Sequence, residues 1–140
     1  MFKKILTKSP KTLFFSNLKL TGRDEMSLER VIKALESLGL SRMEARIYVF
    51  LEKTGAHEDV EIAQALKIHM KELTNSLKIL KDKRIVEASL KETSMFSAVS
   101  FKKAINLLIE LRKEQAKSMQ ERKVELLSIW QKMKNTRQKN

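Results

Sequence analysis

Lys71, Asn75 and Lys78 recur at intervals of four and three residues. On a helix turning about 100° per residue, that spacing sets all three on one narrow face. Lysine is a point charge for a phosphate or for guanine acceptors, and asparagine can pair with an adenine edge through two hydrogen bonds. Thr74 flanks the row and suits a thymine methyl or a phosphate. His69 stands at the expected helix start, where free backbone amides favour an anion. The chemistry this set offers is contact with duplex DNA. Glu72 and Asp82 weaken its positive field, and the face carries no arginine for strong guanine reading. Contacts to the DNA backbone are therefore expected to carry most of the affinity. On its own, the same pattern would also suit an ordinary solvated helix face.

Such a face needs a support. Leu73, Leu77 and Leu80 form an apolar stripe on the other side of the same helix, expected from about His69 to Lys83. Before it, Val60, Ile62, Ala63 and Leu66 recur at helical spacing, with Asp59 as N-cap and Ile68 in the turn. Two short helices joined by a tight turn, the second basic outside, make a helix-turn-helix. Upstream, Leu28, Val31, Ile32, Leu35 and Leu38 predict an amphipathic helix from Ser27, closed by Gly39. Ser41 and Glu44 form a capping box for the next helix. Ala45, Ile47, Tyr48 and Leu51 are its buried side, and Gly55 ends it.

After these helices, Ile85–Leu90 and Met95–Val99 read as two strands around a Lys91-Glu92-Thr93 turn. Helices followed by a hairpin make a winged helix, with Lys91 as a wing-tip contact. Ser100 caps a final helix expected to run from Phe101 to about Lys134. In one heptad frame Ile105, Arg112, Met119, Leu126 and Met133 fill the first core position. Leu108, Gln115, Arg122 and Ile129 fill the fourth. Trp130 broadens the stripe. Ile105, Leu108, Met119, Leu126, Ile129, Trp130 and Met133 are the expected dimer interface, with a helix folded back on its own domain as the alternative.

Charge supports a polyanionic partner. The 140 residues hold 29 Lys and Arg against 17 Asp and Glu, a formal charge of +12. Phosphate neutralisation with counterion release favours nucleic acid, although charge alone does not separate DNA from RNA or an acidic membrane surface. The length suits one compact domain and some extra helix. With no cysteine, disulfides, thiol nucleophiles and cysteine-held metals are excluded. His57 and His69 stand apart, and a metal there would need Glu58 or Asp59 to converge. Gly22, Gly39 and Gly55 are isolated, so no phosphate-cradling loop is present. No catalytic residue, metal site, cofactor or small-molecule effector is evident, and an enzyme is not expected.

No apolar run reaches the roughly 18–20 residues that span a bilayer. Lys8, Pro10 and Lys11 interrupt the apolar positions near the start, against an export signal. A cytoplasmic location is expected, without a membrane partner. The chain divides into a basic arm (1–25), a winged helix-turn-helix domain (26–100), a dimerisation helix (101–134) and a basic tail (135–140). The arm suits extra phosphate contacts or a short docked element, and Met26 is an alternative translation start.

Leu38-Gly39-Leu40-Ser41, then Glu44-Ala45-Arg46-Ile47-Tyr48 and Leu51, resembles the opening signature of the TrmB family of winged-helix transcriptional regulators. Glu61-Ile62-Ala63 is similar to that family's next helix. Leu77, Leu80, Ile85 and Val86 resemble its recognition helix and first wing strand, and Phe96-Ser97-Ala98-Val99 its second. The likeness runs in order over roughly residues 28–112. It implies a mainly α fold with a small β-hairpin and a regulator that binds double-stranded DNA. It also implies a homodimer through the helix after the wing. Larger members carry a C-terminal sugar-binding domain; this sequence ends at Asn140 without one, so sugar sensing is not expected. His69, Thr74 and Arg84 replace residues that the family often holds as proline, tyrosine and glycine. The last change predicts a reshaped or strained turn into the wing. A protein-interaction module built on the same fold is the rival reading.

Overall fold

The computed structural model describes residues 22–90 and 94–139. Its order is α1 (Gly22–Ser37), α2 (Arg42–Thr54), β1 (His57–Glu58), α3 (Asp59–Leu66), α4 (Met70–Asp82), β2 (Val86–Leu90), β3 (Ser94–Ala98) and α5 (Phe101–Lys139). The expected mainly α winged helix with a long final helix is what forms. The described residues fall into two units, divided within α5 after Leu108.

α1 begins at Gly22, ahead of the expected start at Ser27. Asp24 and Glu25 lie in its first turn, where carboxylates complement the positive helix end. Leu28, Ile32 and Leu35 are its buried stripe. The Ser41–Glu44 box forms as expected: Ser41 Oγ accepts from the Glu44 N–H, and Glu44 Oε1 accepts from the Ser41 N–H, both at 3.1 Å. Arg42 reaches back from α2 to Glu29 at 2.7 Å and Glu36 at 3.2 Å, tying the first two helices together.

Tyr48 anchors the centre. It is fully buried, and its hydroxyl donates to the Val99 carbonyl at 2.7 Å, bridging α2 to the end of the wing. Burial, and then the nearby Glu52 carboxylate, push its phenol pKa above the ordinary tyrosine value. Ile62, Ala63 and Leu66 join this core from α3, and Leu73, Leu77 and Leu80 join it from α4. Val60 does not: it is 50% exposed, because α3 turns only its other apolar side inward. Asp59 is the first residue of α3, not its cap. Glu58 holds the cap position, and its N–H donates to Glu61 Oε1 at 2.9 Å.

The wing has a third strand that periodicity did not announce. β1 pairs antiparallel with β3, His57 opposite Phe96, giving the order β1-β3-β2. The β2–β3 hairpin sets Val86 opposite Ala98 and Leu90 opposite Ser94. Its Lys91-Glu92-Thr93 turn lies outside the described residues, as does the arm up to residue 21.

Two non-glycine residues adopt left-handed backbone at turns: Lys67 (φ 56°) between α3 and α4, and Arg84 (φ 66°) between α4 and β2. The Arg84 turn is fixed by its own N–H to Lys81 O at 2.9 Å and by Ile85 N–H to Leu80 O at 3.2 Å. The expected strain is therefore present, since a Cβ crowds the following carbonyl in this region at about 1–2 kcal/mol. Arg84→Gly is expected to stabilise the domain by about 0.5–1 kcal/mol, because the greater freedom of glycine in the unfolded chain cancels part of the relief. A higher urea midpoint at unchanged slope is the confirming result.

Ser100 Oγ accepts from the Lys103 N–H at 3.3 Å and starts α5 as expected. Ala104 and Leu108 are buried in the core. The helix continues to Lys139, past the expected end near Lys134. Among residues 112–136 every side chain is exposed. Among the described residues no helix is long and apolar enough to cross a membrane.

Candidate nucleic-acid interface

α4 sits on the core through Leu73, Ser76, Leu77 and Leu80, all buried. That seating decides what the other side presents. Lys71, Asn75 and Lys78 are exposed together, with Thr74 exposed beside them. Among the described residues no ion pair engages Lys71 or Lys78, so neither charge is neutralised from within. Asp82, also exposed, ends the same row one turn on and is the main charge against an anion there.

His69 occupies the N-cap of α4 with φ −71° and ψ 146° and supplies no side-chain cap. Its carbonyl accepts from the Leu73 N–H at 3.0 Å. The first amides of α4 are thereby left for an outside acceptor, with Lys71 close in sequence. His69, Lys71, Thr74, Asn75 and Lys78 thus lie along one exposed helix and its cap.

The wing adds less. Glu87, Ser89 and Ser94 are its exposed described positions, and none is basic. Lys91, the expected wing contact, lies outside the described residues. Sequence reasoning passed over Ile79, which is 40% exposed four residues after Asn75. An apolar side chain on the flank of this row can meet a thymine methyl. Its signal was the spacing itself, which places it off the leucine stripe.

The residues expected to mediate dimerisation divide. Leu108 is 1% exposed and belongs to the core, with Ile105 packed against it. Leu108 is thus occupied by its own domain, whereas Ile105 is only half-buried. The heptad count missed this because it treats the helix as uniform along its length. Met119, Leu126, Ile129, Trp130 and Met133 are exposed, Trp130 by 63%.

His57 is held by its surroundings. Its ring stacks on Phe50 with centroids 5.1 Å apart, and Nε2 lies 3.0 Å from Thr54 Oγ1. Nδ1 lies 3.7 Å from Glu61 Oε1. His69 takes no part in this group, and no metal-holding cluster of His, Asp and Glu occurs among the described residues.

Residues 35–102 match the family model for the sugar-specific transcriptional regulator TrmB. Among solved structures, one similar fold is a possible transcriptional regulator from Methanosarcina mazei Go1. It is 18% identical with a TM-score of 0.52, over 69% of this chain and 86% of that one. Another is TrmBL2, an archaeal chromatin protein whose structure shows a novel mode of DNA binding. It is 24% identical with a TM-score of 0.58. The match covers 74% of this chain but only 42% of that one. No curated protein matches the sequence significantly.

Proposed function

We propose that the chain is a TrmB-like regulator that binds double-stranded DNA through α4 and acts as a homodimer on promoter sites, a reading supported by the match of residues 35–102 to the TrmB family model. The observation that carries this reading is the seating of α4, which buries its leucines and leaves Lys71, Asn75 and Lys78 exposed in one row. The helix enters the major groove with its N-terminal half. Lys71 and Lys78 neutralise phosphates or meet guanine acceptors, Asn75 reads an adenine edge, and Thr74 and His69 hold the backbone. Lys91 adds a contact from the wing. Regulation follows from occupancy of the promoter.

In the dimer, two such helices meet half-sites one DNA turn apart, roughly 34–36 Å, or a multiple of that spacing. Met119, Leu126, Ile129, Trp130 and Met133 join the copies. The basic arm and tail add sequence-independent attraction, and the reading requires no cofactor.

Fluorescence anisotropy with a labelled mixed-sequence duplex across a salt series tests the proposal. Two lysines from each of two helices release about four counterions at about 0.9 each, so log affinity should fall against log salt with a slope of about −3.6 or steeper. Absence of binding at low salt refutes it. A stoichiometric protein complex that survives nuclease would then point to an interaction module.

A further inference from the structure

The second unit, residues 109–139, is a helix whose charges are unevenly placed. Its acids, Glu110, Glu114, Glu121 and Glu125, all precede Leu126. From Leu126 onward the sequence holds Lys132, Lys134, Arg137 and Lys139 and no acid. Of the exposed apolar side chains in this unit, Leu126, Leu127, Ile129, Trp130 and Met133 lie in that same cationic end, and Ile109, Met119 and Val124 precede it.

These two facts constrain how a second copy can pair with it. In a parallel, in-register pair each core position meets itself. Arg112 would face Arg112 and Arg122 would face Arg122, each in the seam between the helices. The cationic ends would also lie side by side, with eight positive charges and no acid between them. Both arrangements place like charges in contact, and the apolar layers at Leu126 and Ile129 would have to offset them.

We propose that residues 116–139 pair antiparallel with the same segment of a second copy, centred between residues 127 and 128. This rests on the homodimer proposed above and specifies its geometry. In this register Leu126 of one copy meets Ile129 of the other, twice, so the apolar layers form the middle. Arg122 lies against Met133, and its aliphatic stem covers the thioether while the guanidinium reaches water. The flanking positions also agree. Glu125 stands opposite Lys132 on both sides of the axis, and Trp130 opposite Lys123, which suits a cation over an indole face. Arg112 falls outside the paired stretch. One antiparallel register thus separates the arginines, spreads the cationic ends apart and pairs Glu125 with Lys132.

The natural absence of cysteine allows a direct test on the full chain. Sedimentation of the wild type comes first, and a monomer at micromolar concentration overturns the dimer and its geometry together. Arg122→Cys and Met133→Cys chains are then mixed and equilibrated with oxidised glutathione, and the disulfide-linked species are weighed by mass spectrometry. The antiparallel register gives the heterodimer in the mixture and no linked dimer from either variant alone. Position 133 then lies eleven residues from its own copy along the pair, about 16 Å, beyond the roughly 7 Å that a disulfide bridges. A linked dimer from Met133→Cys alone overturns the antiparallel geometry and leaves the dimer standing. A second pair, Glu125→Cys with Lys132→Cys, reports from the flank without touching the seam. Should the wild type be dimeric and neither mixture yield the heterodimer, the geometry is refuted.

Discussion

Replacing Lys71, Asn75 and Lys78 together with alanine is expected to lower affinity for duplex DNA by about two orders of magnitude near 0.15 M salt. An asparagine paired to an adenine edge is worth about 1–3 kcal/mol, and each lysine adds a salt-dependent phosphate term of about 0.9 in the slope. The triple variant should therefore bind less tightly and lose about 1.8 units of slope for each recognition helix. All three side chains are exposed on a helix held by its opposite face, and alanine favours helix, so the fold should survive. A thermal melt no lower than that of the wild type would exclude unfolding as the cause. Unchanged affinity and slope would move the DNA contact off α4, most simply to the basic arm and tail.

The second large effect is structural and separates two adjacent residues. Leu80→Ala should cost about 2–5 kcal/mol, the range for deleting a buried leucine whose cavity only partly collapses. Leu80 is 0% exposed, in the core that seats α4, and its carbonyl accepts from the Ile85 N–H just after the turn. For a domain of this size that is a fall in Tm of roughly 10 °C or more. Ile79→Ala, one position along and facing out, should cost well under 1 kcal/mol. Urea denaturation of both variants reads the contrast, and equal losses would show that α4 is not seated as described. From the middle of the usual 5–15 kcal/mol range, about 10 kcal/mol, a loss of about 2–5 kcal/mol leaves Leu80→Ala folded at 25 °C. Its DNA affinity should then stay within a few fold of the wild type.

Much of this was legible from local pattern. The Ser41–Glu44 box is an exchange between neighbours, and the leucine stripe of α4 follows from one helical period, so both could be read without tertiary information. The same stripe fixed which side chains of α4 are exposed, and with them the whole row from Lys71 to Lys78. What escaped depends on distant partners. β1 is two residues long and has no period; it exists because β3, some forty residues later, offers it hydrogen bonds. Val60 fits the spacing of α3, but a short helix can bury only one side, and Ile62, Ala63 and Leu66 take it. Asp59 and Glu58 are both plausible caps, and the pairing of β1 decides between them by holding Glu58 extended. The burial of Leu108 was hidden because a heptad pattern records which side of a helix is apolar, not what covers it.

The bridge from Tyr48 to Val99 also sets an order of events during synthesis. It joins positions 51 apart, and the same core takes Ala104 and Leu108. A chain made from its N-terminus cannot complete this domain until Leu108 has emerged from the ribosome. At that moment residues 109–139 are still being added or are still enclosed. The winged-helix domain is thus finished before residues 109–139 are free, so in the proposed dimer two copies would meet as folded domains. Under that proposal assembly is a second-order step, and the amount of protein made would set the dimer population.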